Sequence, residues 1–170
     1  ANIGINIGNA TNGWAFGPEK SERVLPHMSW IRFTVAAGTP EGYARIMYKG
    51  PEHTEVFDNA MENISHAIAY KKKHNLSVTI GIQMVLMPEF ADEIIPFAQL
   101  GLDLGADYAV IKHCSDDETQ SLGVDYSKYE SMYDLLETAE AMSTSETKIV
   151  VKWDKINDKG QHSYSRFYGP

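Results

Sequence analysis

Short apolar runs alternate along the chain with longer stretches in which apolar residues recur at helical spacing. Ile3 to Gly8 reads as a first strand, bounded by the turn signal Asn12-Gly13. Pro18 to Leu25 predicts a short helix with the proline in its first turn, and Trp30 to Ala36 a second strand. After Gly38-Thr39-Pro40 the pattern predicts a brief helical turn through Met47. A long helix then runs from a Thr54 cap to about His74, with Val56, Phe57, Ala60, Ile64, Ala67 and Ile68 as its apolar stripe. Leu76 to Leu86, dense in Val and Ile, is a third strand. The next helix occupies about Glu89 to Leu104, and Pro96 inside it demands a start near Asp92 or a kink. Gly105 ends that helix, and Asp107 to Lys112 is a fourth strand. Ser127-Lys128-Tyr129-Glu130 forms a capping box for a helix that points Met132, Leu135, Leu136 and Ala139 inward and ends near Met142. Lys148 to Trp153 is a fifth strand. The remainder, 157–170, is polar and aromatic without period and reads as a loop, so the folded domain is assigned to 1–156.

Strand, helix, strand, helix is the pattern of right-handed βαβ units around a parallel sheet, an α/β fold. A parallel sheet covered on both sides is apolar on both faces, and these strands are not. Trp30, Arg32 and Thr34 share one face against Ile31, Phe33 and Val35; Thr79, Gly81 and Gln83 oppose Val78, Ile80, Ile82 and Met84; Tyr108, Val110 and Lys112 oppose Ala109 and Ile111. A flat doubly wound sheet would put Arg32, Gln83 and Lys112 beneath a helix, where an unpaired buried charge costs several kcal/mol. A curved sheet lining a lumen avoids that cost and places polar groups at the C-terminal rim of the strands. The expectation is a partial (β/α) barrel, with the flat doubly wound sheet as the alternative.

Composition narrows the functional classes. At 170 residues, 43% apolar and 22% charged, the chain has the make-up of one globular domain. A net charge of −8 repels phosphate backbones and anionic membranes, so neither nucleic acid nor a membrane is expected as partner. The cluster Lys71-Lys72-Lys73 falls where a helix ends and reads as cations complementing the helix dipole on a solvated face. The single cysteine, Cys114, excludes an internal disulfide framework and any four-thiolate metal site built from this chain alone, and points to a reducing, cytoplasmic setting. No apolar run reaches membrane-spanning length, and the opening Ala1-Asn2-Ile3-Gly4 has no leader pattern. That opening, without an initiator Met, suggests a processed chain or a fragment. His113, Cys114, Asp116 and Asp117 resemble a metal cluster on paper, but strand neighbours point opposite ways, so they read as a solvated loop.

The order and wording of the segments resemble the later part of a radical SAM domain. Thr11-Asn12-Gly13 resembles the turn after the third strand of such enzymes. Trp30-Ile31-Arg32-Phe33-Thr34-Val35-Ala36-Ala37-Gly38-Thr39-Pro40-Glu41 is similar to their fourth strand, commonly written R-x-S-x-D-x-G-T-x-E. Thr79 to Leu86 and Gly105 to Lys112 are similar to strands five and six. The resemblance implies a partial (β/α)6, TIM-like barrel that binds a [4Fe-4S] cluster through C-x3-C-x2-C. That cluster reduces S-adenosylmethionine to a 5′-deoxyadenosyl radical, which abstracts hydrogen from a small-molecule or peptide substrate. This sequence holds no such triplet, so the resemblance implies that the cluster loop lies before Ala1 and that this chain alone is inactive. Thr34 stands at the position of the strand-four Ser that contacts the SAM ribose, and its hydroxyl can make the same hydrogen bonds. Ala36 replaces a common Asp. Gln83 and Lys112 resemble the polar positions of strands five and six, and Ser165 to Pro170 resembles a bridge towards an auxiliary-cluster domain.

Read without the family, each of these residues keeps an alternative. Thr34 and Gln83 are also what satisfied polar groups inside a barrel look like. Arg32 either clamps a carboxylate through its planar fork or pairs with an acid of the lumen. Asn12 and Gly13 either line the site or simply turn the chain. Lys112, at the C-terminal end of a strand, has the position of a Schiff-base nucleophile, which makes an aldolase-type barrel the rival enzyme; a non-catalytic βα binding module is the rival from another class. If strands are missing before Ala1, the first strand becomes an exposed edge, and self-association through Ile3 to Gly8 is expected.

Overall fold

A computed structural model of the chain describes residues 5–50, 52–116 and 119–157. Five strands, β1 (Gly8–Thr11), β2 (Trp30–Thr34), β3 (Thr79–Leu86), β4 (Tyr108–His113) and β5 (Lys148–Val151), form one sheet in chain order. Every neighbouring pair is parallel. The connections carry α1 (Pro18–Val24), α2 (Pro40–Tyr48), α3 (Thr54–Lys73), α4 (Ile94–Leu104) and α5 (Tyr133–Ala141), and α6 (Trp153–Asn157) follows β5.

Within these five strands the order never reverses, and this decides the layering. Right-handed crossovers that always step to the next strand on the same side all return over one face, and covering the second face needs a reversal. Ile31, Phe33, Ile80, Ile82, Met84 and Ile111, all at most 1% exposed, face the helices and join their apolar stripes in one core. Burial of each contributes about 1.5–3 kcal/mol. Trp30, Val85, Tyr108, Val110 and Val150, on the opposite face, stand outside that core. A doubly wound arrangement of these strands is thereby ruled out.

Several element boundaries depart from expectation for local reasons. The first strand is Gly8–Thr11; Ile5 and Ile7 precede it and are exposed, while Ile3 lies outside the described residues. The third strand starts at Thr79, not Leu76. The cap of α3 is His53, in a left-handed conformation with φ 70°, and Thr54 is already helical. Pro96 needs no kink, because a 3-10 segment (Pro88–Glu93) comes first and α4 starts only at Ile94, which puts the proline in the first turn. Asp125, rather than Ser127, caps the turn that follows, accepting from the Ser127 N–H at 3.1 Å; the chain runs as a 3-10 helix (Tyr126–Met132) before α5, and Leu135 faces outward at 40% exposure. Trp153 belongs to α6, with its indole N–H donated to Glu140 at 2.9 Å. The 157–170 loop assignment falls, beyond Asn157, outside the described residues.

Polar side chains join the layers at both ends of the sheet. Lys71 is not a solvated cation: its Nζ donates to both oxygens of Asp107 at 2.6 and 2.5 Å, and the Asp107 carboxylate also accepts the Ile80 N–H, linking α3 to the starts of β3 and β4. At the other end Thr39 caps α2, accepting from the Gly42 N–H at 2.9 Å. Glu93, 5% exposed, accepts from the Gly38 N–H at 3.0 Å, the Thr39 N–H at 3.1 Å and the Thr39 hydroxyl at 2.9 Å, so the loops after β2 and β3 are held as one body. Truncating Glu93 would leave those half-buried donors without their acceptor. Glu93→Ala is therefore expected to lower stability by about 3 kcal/mol, and Glu93→Gln, which retains one acceptor oxygen, by less. Urea denaturation measures both, and a loss below about 1 kcal/mol for the alanine variant would show that water replaces the carboxylate.

Candidate functional site on the uncovered sheet face

Register determines which side chains share the uncovered face. Ala10, Arg32, Gly81, Tyr108 and Lys148 are Cα partners across the sheet; one layer towards the C-terminal ends, Thr34, Gln83, Val110 and Val150 are partners; Val85 and Lys112 follow at the rim. Arg32, Thr34, Gln83 and Lys112 therefore look to the same side, as the alternation of their strands requires. The polar groups rise from the middle of the sheet to its C-terminal rim.

The lower layer is aromatic. The Tyr108 ring lies over Gly81, where a Cβ would come within 2.2 Å of it, so only glycine leaves room for the ring. The Arg32 guanidinium lies 6.0 Å from the centroid of the Trp30 ring, a cation–π contact. Burial pushes the Tyr108 hydroxyl above its usual pKa, the Arg32 charge opposes the shift and Asp107 adds to it. Arg32 pairs with no acid of the described residues, and its Nε is buried without a hydrogen-bond partner among them. An orphaned buried donor costs about 1–3 kcal/mol.

Above that layer Thr34 and Gln83 are neighbours on adjacent strands. Gln83 is 6% exposed, and neither side chain hydrogen-bonds to another described residue. Lys112, half-buried, also lacks a hydrogen bond or ion pair among the described residues. Asn12 and Gly13 do not share this layer but form the turn beyond β1. The Thr11 hydroxyl accepts the Gly13 N–H at 3.3 Å and the Asn12 side chain accepts the Trp14 N–H at 3.2 Å. Gly13 takes φ +81°, a left-handed conformation that favours glycine, and packs against Phe33 and Ile64.

Three residues that set this rim, Asn63, Glu93 and Tyr129, had no such role in the sequence reading, and a fourth, Asp116, read as part of a solvated loop, is instead buried because its carboxylate is bonded to loop N–H groups. Asn63, 8% exposed within the apolar stripe of α3, donates to the Gly13 and Trp14 carbonyls, both at 3.0 Å, and so fixes the turn after β1. Glu93 does the same for the turn after β2. The Tyr129 hydroxyl donates to the Leu86 carbonyl at 2.5 Å and accepts the Cys114 N–H at 3.1 Å, tying the ends of β3 and β4. Burial holds its ionisation well above the ordinary tyrosine range. Asp116, 6% exposed, accepts from the Leu122 and Val124 N–H groups at 3.0 and 3.1 Å and pins the loop after β4. The only signal in the sequence was Asn63, a polar residue interrupting an otherwise apolar stripe.

His113, expected in a solvated loop, is instead the last residue of β4 and 1% exposed, its ring packed 5.5 Å from Tyr126 and 5.9 Å from Tyr129, while Asp117 is outside the described residues. Cys114 is buried, and burial raises its thiol pKa, Asp116 raises it further and Lys112 lowers it. Among the described residues no helix is long and apolar enough to cross a membrane, and no group of His, Cys, Asp and Glu is placed to hold a metal ion. Neither the protein-family models nor the curated proteins contain a match to this chain.

The electrostatics of Cys114 give a direct check on the placement of Lys112. Alkylation by iodoacetamide is expected to reach half its maximal rate at a pH above that of an ordinary thiol. Lys112→Gln, which removes the cation favouring the thiolate, should move that midpoint higher still. A midpoint that does not respond to the substitution would mean that Lys112 is directed away from the thiol.

Proposed function

We propose that the chain is the later part of a radical SAM barrel, its uncovered sheet face forming the lumen that receives S-adenosylmethionine and substrate. The observation that carries this reading is the adjacent pair Thr34 and Gln83: two polar side chains on one face, bonded to no other described side chain, at the positions where the resemblance puts the cofactor. Their donor and acceptor sets suit a ribose and an amino-acid group. When bound beside its iron–sulfur cluster, S-adenosylmethionine supplies the carbon-centred radical that takes a hydrogen atom from the substrate. The cluster's thiolates come from sequence outside these 170 residues, since Cys114 is the single cysteine here.

The work left to this chain is binding and orientation. Thr34 holds the ribose hydroxyls, Gln83 offers an amide to the adjoining polar group, and the Asn63-anchored turn keeps Asn12 and Gly13 at the end of β1. Val85, Val110 and Val150 give the same face an apolar floor that excludes water from a reactive centre. Placing the site at the C-terminal rim agrees with the general habit of parallel βα folds, an argument by analogy.

In a longer polypeptide carrying C-x3-C-x2-C ahead of this segment, anaerobic reconstitution with iron and sulfide should give 5′-deoxyadenosine from S-adenosylmethionine and dithionite. Thr34→Val should raise the KM for S-adenosylmethionine about tenfold, the equivalent of one lost hydrogen bond at about 1.4 kcal/mol. Absence of 5′-deoxyadenosine, or indifference to both Thr34→Val and Gln83→Ala, would overturn the proposal, and a borohydride-trapped adduct on Lys112 would transfer the assignment to Schiff-base chemistry. The β1 edge offers a second check. With Ile5 and Ile7 exposed beside it, the isolated chain should self-associate in light scattering, and Ile7→Lys should return it to the monomer.

A further inference from the structure

The uncovered face is cationic in an acidic protein. Acids outnumber cations 23 to 15 over the chain, yet the strand register puts Arg32, Lys112 and Lys148 on this face and no Asp or Glu. Lys152 stands at the same rim, its N–H bonded to the Ile111 carbonyl at 2.9 Å, one residue beyond the Ile111–Val151 pair and so beside Lys112. The two buried acids near the rim are committed elsewhere: Glu93 to Gly38 and Thr39, Asp116 to Leu122 and Val124. None of the four cations pairs with a carboxylate among the described residues. Side-by-side cations without a counter-charge are unfavourable by themselves, and the buried, unpartnered Nε of Arg32 adds a donor that still needs an acceptor.

We infer that this face takes an elongated dianionic substrate with a carboxylate at each end. Arg32 binds one end through its planar fork and Lys112, supported by Lys152, the other, while Thr34 and Gln83 address the middle. The spacing fits this division. Arg32 is level with Gly81 and Lys112 with Val85, so the two Cα atoms are separated by about 13 Å along the strands and about 10 Å across them. The two residues stand at opposite corners of the Thr34–Gln83 layer, and the Arg32 guanidinium would leave the Trp30 ring to meet a molecule lying over that layer. The inference rests on the reading of this face as the substrate side of a barrel.

The test is a titration of the isotope-labelled chain, followed by amide NMR, with adipate and, separately, with its neutral counterpart adipamide. Adipate should give saturable shifts at Arg32, Thr34, Gln83 and Lys112, weakening with salt, and adipamide none. Arg32→Gln and Lys112→Gln should each weaken adipate about tenfold, Arg32→Lys less, and Lys73→Gln, at the far end of α3, not at all. Equal response to the diamide, shifts scattered over surface lysines, or binding unchanged in Arg32→Gln and Lys112→Gln would overturn the inference. A parallel titration with S-adenosylmethionine separates the two ideas. Binding of S-adenosylmethionine without adipate overturns the dianion and leaves the radical SAM reading standing. Binding of adipate upholds the anionic site whether or not S-adenosylmethionine binds, and the cofactor reading falls only if the longer, cluster-loaded polypeptide also fails to bind S-adenosylmethionine.

Discussion

When the strands of a parallel sheet follow one another in order, right-handed crossovers deliver every helix to the same side. One face of this sheet therefore buries Ile31, Phe33, Ile80, Ile82, Met84 and Ile111 under helices, and the other receives no helix among the described residues. That asymmetry permits Arg32, Gln83 and Lys112 to occupy strand interiors at all. Beneath a helix each would need a dedicated partner; on the opposite face Arg32 and Lys112 stay half-buried, while Gln83 is 6% exposed. Fold and candidate site thus follow from the same topological restriction.

A sheet positioned in this way still leaves its loops free to vary, and here the rim is stabilised by side chains bonded to backbone groups. Asn63 serves the turn after β1, Glu93 the turn after β2, Tyr129 the ends of β3 and β4, and Asp116 the loop after β4. All four lie in the layer of helices and loops, and all satisfy main-chain groups that would otherwise be buried without partners. The upper margin of the sheet is consequently held in a fixed arrangement.

The parts legible in the sequence are those governed by local physics. The helices that became α1, α3 and α4 declared themselves by Pro18, by a stripe of period 3.6 and by Gly105, and the polar face by alternation within the strands. Misplacements came where two local rules competed. Ile5 and Ile7 have the residue type of a strand but sit exposed ahead of one, and Ser127-x-x-Glu130 satisfies the capping-box pattern while Asp125, two residues earlier, takes the Ser127 N–H. The partners of the rim anchors were invisible for a different reason: Asn63 bonds across 50 residues, Glu93 across 55 and Tyr129 across 43, to backbone groups that carry no residue-type signature. Only the assembled chain brings them together.

Pinning the loop after β4 at two separate points has an evolutionary corollary. Asp116 and Tyr126 secure its two ends, the Tyr126 hydroxyl accepting the Asp116 N–H at 2.7 Å, so the connection is closed at its base like a purse. Residues can be added or exchanged within such a bight while the strands below keep their alignment. A scaffold of this kind can lengthen one stretch of chain without renegotiating its core.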